Sequence, residues 1–292
     1  MKMNPVYRQE TVVGSRSLKL PLVILIFNSI LALVALLDMY SMIAQVRQTA
    51  EIQYSSFLSL YVFATSVEFV MLLFLVPAMT AGSISGERER RTLNLLLTTQ
   101  MTARDVVIGK LVANLSTILL LIVSSFPILA LVFIYGGITI LDVARLLLCY
   151  VTTAFLTGSI GVFCSAYFRK STIATVASYC ITALLSLGTV AAYELSGVLS
   201  RGSGLSGSNG FFYLMLFNPG ATFRSALSSQ IGTGNEIADF FPWLEQGPVS
   251  FVSEHWMFFG TVVQIALALV LVWLAVRRVE PVKRPAKRRI KR

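Results

Sequence analysis

Six long apolar runs, parted by short polar or charged stretches, limit what this chain can fold into more than any other feature. They cover approximately residues 20–37, 57–79, 106–135, 141–167, 173–193 and 256–276. Each is near or above the roughly 20 residues that a helix needs to cross a bilayer. In hydrocarbon every backbone N–H and C=O must be paired inside the protein, so runs of this kind become helices. Hydrophobic residues make up 55% of the chain and charged residues 13%, whereas soluble domains carry about 25% charge. The expected fold is an all-α membrane protein with six transmembrane helices. The third and fourth runs exceed one bilayer and must tilt, kink or protrude. Pro127 marks a kink site in the third. The first run starts late and has no small-x-small cleavage site, so it reads as a span rather than a signal peptide.

Basic residues set the orientation. Lys2, Arg8, Arg16 and Lys19 precede the first run. Arg88, Arg90, Arg91, Arg104 and Lys110 surround the loop after the second, and Arg169 and Lys170 sit in the connection after the fourth. Nine more lie between Arg277 and Arg292. Only Arg47, Arg145, Arg201 and Arg224 fall on the other side. Twenty against four places both termini in the cytoplasm. The net charge of +10 thus records topology. A nucleic-acid partner is not expected, because no reading motif or folded basic domain accompanies the charge.

Residues 77–110 combine two opposed demands. Glu87, Arg88, Glu89, Arg90 and Arg91 need water, whereas Leu93, Leu95, Leu96 and Leu97 avoid it. Ser85 is placed to cap a helix starting near Gly86, with Glu87 and Glu89 in its positive first turn. Glu87 and Arg91 stand four apart in the favourable order. Leu93, Leu96 and Leu97 share one face, which predicts an amphipathic helix over 86–98. Thr102-Ala103-Arg104-Asp105 then forms a capping-box pattern before the third run. A solvated loop is the alternative, but it would leave the leucines exposed.

The stretch from Pro77 to Leu93, with Leu95-Leu96-Leu97-Thr98-Thr99 and Ile108-Gly109-Lys110, resembles the permease subunit of type-2 ATP-binding-cassette (ABC) transporters. Asn4-Pro5-Val6 with Arg8 and Glu10 is similar to the start of that family. Asn218-Pro219 is similar to the Asn-Pro of its outer hairpin before the last span. Two positions depart from the pattern. The family often has Gly where Arg91 stands and Glu where Asn94 stands. The resemblance implies that the segment holding Glu87, Arg88, Glu89, Arg90, Arg91, Thr92, Leu93, Leu96 and Leu97 is the coupling helix that docks on a separate cytoplasmic ABC ATPase. It further implies a second permease subunit, identical or related, export driven by ATP, and residence in a bacterial plasma membrane. The chain itself would not be an enzyme and would carry no cofactor, with ATP and Mg bound by the partner subunit. No phosphate-binding GxxxxGK[ST] loop occurs in it.

The chain reads as one permease domain. Residues 1–19 form either a cytoplasmic elbow helix or an unstructured leader. Residues 20–193 hold five spans, 194–255 an extracellular loop with a re-entrant or surface hairpin, 256–276 the sixth span and 277–292 a basic tail able to contact lipid. Gly202-Ser203-Gly204-Leu205-Ser206-Gly207 formally matches GxGxxG, but no strand precedes it, so it reads as flexible loop. Glu68 lies deep in the second run, where an ionisable group costs at least about 2.5 kcal/mol and needs a partner, water or a function. It is either a pathway or proton site or a paired structural carboxyl. The small faces Gly82-xxx-Gly86 and Gly158–Gly161 predict close packing. Cys149, Cys164 and Cys180 fall in apolar runs and read as packing residues. Two other functional classes fit less of the pattern. One is a self-contained secondary transporter with Glu68 as its ion site, and the other is a membrane anchor that recruits a cytoplasmic protein.

Overall fold

The computed structural model describes residues 5–49, 54–92, 102–136, 139–195, 213–231, 252 and 255–280. Among them there is no strand. The helices are α1 (Pro5–Arg16), α2 (Lys19–Thr49), α3 (Tyr54–Thr80), α4 (Ser85–Glu89), α5 (Ala103–Gly136), α6 (Ile140–Tyr167), α7 (Ser171–Leu195), α8 (Pro219–Ile231) and α9 (Trp256–Val279). Six of them, α2, α3, α5, α6, α7 and α9, are long and apolar enough to cross a membrane. These six coincide with the six apolar runs. The chain is therefore a helical, multi-pass integral membrane protein. The Gly/Ser stretch, Phe240, Phe241, Trp243 and the basic tail from residue 281 lie outside the described residues.

The ends of the helices follow local chemistry. Thr102 and Asp105 form the expected box at the start of α5: the Thr102 N–H and hydroxyl donate to Asp105 Oδ2 at 3.1 and 2.7 Å, and the Asp105 N–H donates to Thr102 Oγ1 at 3.2 Å. Thr139 and Asp142 repeat the device before α6. Pro127 sits inside α5, which continues on both sides of it. Residues 5–16 are helical rather than an unstructured leader.

α6 is the central post of the bundle. Of its membrane stretch 72% is buried, against 11% for α2. Its sequence explains the difference. Ala154, Thr157, Gly158, Ser159, Gly161, Ser165 and Ala166 are small, and small residues let helix backbones approach in lipid, where packing rather than water exclusion drives association. The closest approach is at Gly161. A Cβ there would stand 2.9 Å from Thr80 Cβ and 3.2 Å from the Ala81 backbone nitrogen on α3. α2, by contrast, rests on a single strip. Phe27 and Leu31 pack on Leu121 of α5, and the Asn28 amide donates to Ser124 Oγ at 2.9 Å.

Two smaller pieces complete the bundle. α4 sits at the end where α3 and α6 finish and α5 and α7 begin. α8 enters from the opposite end and packs between α3, α6 and α9. Phe223 of α8 stacks on Phe69 with ring centres 4.2 Å apart.

The Gly161 contact generates a test. Gly161→Ala forces a methyl group into Thr80, and overpacking of this kind costs about 1–3 kcal/mol. The variant is expected to melt at lower temperature in detergent, and Thr80→Gly in the same chain is expected to restore part of the loss.

Candidate functional site

The α3–α4 connection begins as a problem of unpaired backbone groups. A helix N-terminus carries N–H groups with no partner inside the helix, and here they are buried. Ser165 of α6 resolves two of them, accepting from the backbone N–H of Ile84 at 2.8 Å and of Ser85 at 2.9 Å. Its own hydroxyl donates to Ser85 Oγ at 3.2 Å. Ser85 does not cap the helix as expected from sequence. It is already inside α4, and its hydroxyl donates back to Ala81 O at 3.2 Å. Ser165 was not legible as the cap, because it lies eighty residues away. Beneath the turn, Ile84 is fully buried against Val6 of α1, Val106 and Val107 of α5 and Val276 of α9.

Three charged side chains of α4 then reach three other helices and the turn between two of them. Glu87 Oε1 pairs with Lys110 Nζ of α5 at 3.3 Å, and the same ammonium lies 2.6 Å from Glu10 Oε1 of α1. The other Glu87 oxygen accepts the Thr92 hydroxyl. Lys110 is 6% exposed, but Glu87 and Glu10 are 28% and 41% exposed, so water screens the triad and its net worth is modest. Its value is positional. Arg88 donates to Ala166 O at 3.2 Å and more weakly to Phe168 O at 3.5 Å, which pairs carbonyls at the end of α6. Glu89 accepts from the Ser171 backbone N–H at 2.9 Å and hydroxyl at 2.8 Å, at the positive start of α7. Arg90 and Arg91 are exposed.

The helix stops sooner than its leucine periodicity suggests. α4 covers Ser85–Glu89, not 86–98. Arg91 adopts φ 60°, in the left-handed region. The Arg91 N–H donates to Arg88 O at 3.1 Å and the Thr92 N–H to Glu87 O at 3.0 Å. This is the double hydrogen-bond closure that ends many helices, usually with Gly at the left-handed position. The expected Glu87–Arg91 pair is not made, because Arg91 has left the helical path. Leu93, Leu96 and Leu97 lie outside the described residues. Gly82 and Gly86 do not pack against another helix among the described residues of this chain: a Cβ at either meets nothing within 4 Å.

The opposite end carries Asn218 and Pro219. Pro219 opens α8 at the position where its missing N–H costs nothing. Asn218 is buried and uses every polar atom of its side chain. Its amide donates to Ser186 O and Thr189 Oγ1, each at 2.8 Å, and its Oδ1 accepts from the Gly220 N–H at 2.8 Å. Ser186 lies in a π-helical turn of α7, Leu184–Gly188. Such a turn widens the helix, and π-turns concentrate at functional positions. Gln264 of α9 completes the cluster, donating to Thr222 Oγ1 at 2.7 Å and to Asn218 O at 3.2 Å. Gly260 permits the approach, since a Cβ there would stand 2.6 Å from Thr222 Oγ1. Between α3, α7 and α8 lies a mostly apolar groove of about 710 Å³, with Phe69, Leu73, Thr182 and Val190 on its walls and Glu194 and Arg224 among its lining residues.

Glu68 is not on that groove. It is fully buried where α3, α5 and α6 meet, and its Oε1 accepts the Ser125 hydroxyl at 2.5 Å. Its Oε2 has no hydrogen-bond partner. Nearby, Tyr150 donates to Thr65 O at 2.9 Å, and Tyr61 donates to Gln230 of α8 at 2.6 Å. Cys149 and Cys164 are buried as expected, but Cys180 is exposed on α7.

Six helices long and apolar enough to span, a bonded turn helix between the second and third, and a short helix packed into the bundle before the last make up a polytopic membrane protein. The match to the ABC-2 family transporter protein model runs over residues 3–279, and the chain belongs to that family as the membrane permease of an ABC system. A search of curated proteins found no match.

Two substitutions test the turn. Arg91→Gly removes the left-handed penalty of roughly 1 kcal/mol and is expected to slow amide exchange across α4, whereas Arg91→Val is expected to speed it. Ser165→Ala leaves two buried N–H groups unpaired at about 1–3 kcal/mol each. It is expected to lower the melting temperature more than Ser159→Ala, whose hydroxyl serves only a carbonyl of its own helix.

Proposed function

We propose that this permease works in an ATP-driven exporter, and that the α4 region is where work from a separate cytoplasmic ABC ATPase enters the membrane. Two permease subunits, identical or related, would each rest on one ATPase. ATP and Mg would be held by the ATPases. Their closure would shift α4, and with it the tilt of the spanning helices, moving cargo outward. The 20-to-4 distribution of basic residues places α4 and both termini on the cytoplasmic side, and the membrane is a bacterial plasma membrane. α8, with Asn218 and Pro219 at its tip, would close the outer end as a lid.

One observation supports this reading above others: a five-residue helix is bonded to α5, α6 and α7 at once, and through the shared Lys110 it is linked to Glu10 of α1. An element held at so many points transmits displacement as a rigid body. The same bonding divides labour among the coupling residues. Glu87, Arg88 and Glu89 bond to neighbouring helices and fasten the lever. Arg90 and Arg91, with Leu93, Leu96 and Leu97 beyond them, are the part left to meet the ATPase.

The division makes two expected phenotypes distinct. Arg90→Glu should weaken capture of the ATPase by the permease at unchanged permease melting temperature. Glu87→Ala should leave the complex intact while lowering transport per ATP hydrolysed by several-fold. Complex formation and transport are read on purified subunits in vesicles. Transport by the permease alone, or native coupling in both variants, would overturn the reading in favour of a secondary transporter.

A further inference from the structure

Five basic side chains collect beside the α4 anchor without a matching set of acids. Arg88 lies against the α6–α7 turn through its bonds to Ala166 O and Phe168 O. Arg169 and Lys170 are the next residues of that turn and are exposed. From α9, Arg278 reaches the same turn, its guanidinium carbon 5.1 Å from the centre of the Tyr167 ring. Arg277 lies 3.8 Å over the Trp273 ring. The charges of Arg169 and Arg278 both bear on Arg88.

The described carboxylates at this end of the bundle are Glu10, Glu87, Glu89, Asp105 and Glu280; Glu10 and Glu87 share Lys110, Asp105 is held by Thr102, and Glu89 lies in the field of Lys170. Glu89 is engaged by Ser171. The ion pairs found among the described residues use Lys110 and Arg145, so none neutralises these arginines. Guanidinium groups gathered this way repel one another, and an anion placed among them relieves the repulsion.

We propose that the cluster binds the phosphate of an anionic phospholipid, seated at the bilayer edge between the α6–α7 turn and the C-terminal end of α9. Three observations favour lipid over other anions. The outward residues of α9, Val262, Leu269, Val270 and Trp273, form an exposed apolar face that leads up to Arg277, so acyl chains have a surface directly below the charge. Tyr167 and Trp273 are each about half exposed at the same level, and such rings favour the headgroup region. Stacking on them fixes the guanidinium planes and leaves N–H donors for phosphate oxygens. Seven of the twelve residues that follow Glu280 in sequence are Lys or Arg, a composition that suits an anionic surface. The proposal needs only that the bundle crosses a membrane and is independent of the ATPase reading. The competing occupant is an acidic face of the ATPase.

Native mass spectrometry of the purified full chain with phosphatidylglycerol and phosphatidylcholine distinguishes them. Preferential retention of phosphatidylglycerol is expected. Arg169→Gln and Arg278→Gln should each reduce it about fivefold, the effect of one basic residue near an anionic surface. Phosphatidylcholine retention and the melting temperature should stay as in the native chain. Arg169 is an exposed turn residue, so its variant keeps the test valid if Arg278→Gln fails to fold. Equal retention of the two lipids by the native chain, or unchanged selectivity in the Arg169 variant, overturns the proposal. Displacement by inorganic phosphate would make it a site for a free anion instead. Loss of ATPase capture in the variants with lipid selectivity intact would assign the surface to the ATPase.

Discussion

Two backbone N–H groups at the start of α4 and one hydroxyl on α6 are the contact on which the rest of this molecule depends. Ile84 and Ser85 present their N–H groups in a buried setting, and Ser165 accepts from both. Water cannot stand in for a partner there, and a buried donor without one costs about 1–3 kcal/mol. The exchange therefore fixes the start of α4 to α6 rather than leaving it to follow α3. One turn along α6, Gly161 lets Thr80 and Ala81 approach closely enough for Ser165 to reach. The void at Gly161 and the hydroxyl at Ser165 form one device: the first admits the chain and the second binds it.

From that fixed start the charges of α4 acquire direction. Glu87, Arg88 and Glu89 are consecutive, so their side chains fan around the helix, and each finds a different neighbour. In water such contacts would be weak. Here each is paired with a feature that adds to it: a shared lysine for Glu87, helix-end carbonyls for Arg88 and a helix-start N–H for Glu89. The opposite end is organised by amides instead. Asn218 and Gln264 tie the entry of α8 to α7 and α9 where no charge is available. The bundle thus has ionic fastening at one end and amide fastening at the other.

Much of this was legible in the residues themselves. Apolar run length gave the six spans, because a helix must satisfy its own backbone in lipid. The Thr102–Asp105 box marked the start of α5 to the residue, because a capping box is local chemistry. Asn218-Pro219 marked a break in the apolar stretch before the last span, and α8 begins at that break. Other readings failed where a distant partner intervened. Ser85 has the right chemistry for a cap, but Ser165 already fills that role. Glu87 and Arg91 have the right spacing for an ion pair, but the left-handed turn at Arg91 parts them. Gly82 and Gly86 have the right spacing for a packing face, but no helix among the described residues of this chain packs on them.

Sequence alone determined the number of spans, the helical class, the place of the surface segment and the family to which its motif belongs. The first three rest on periodicity, hydropathy or bonds between residues a few positions apart, and the family on the resemblance of the motif over residues 77–110. Tertiary structure alone decided that α6 is the central post, that Glu68 lies in the helix core away from the groove, and that α4 is fastened to three helices. Those outcomes depend on which small residue meets which hydroxyl across the bundle, and such meetings join residues eighty or more positions apart. No local pattern records them, because the interaction does not exist until the helices have packed.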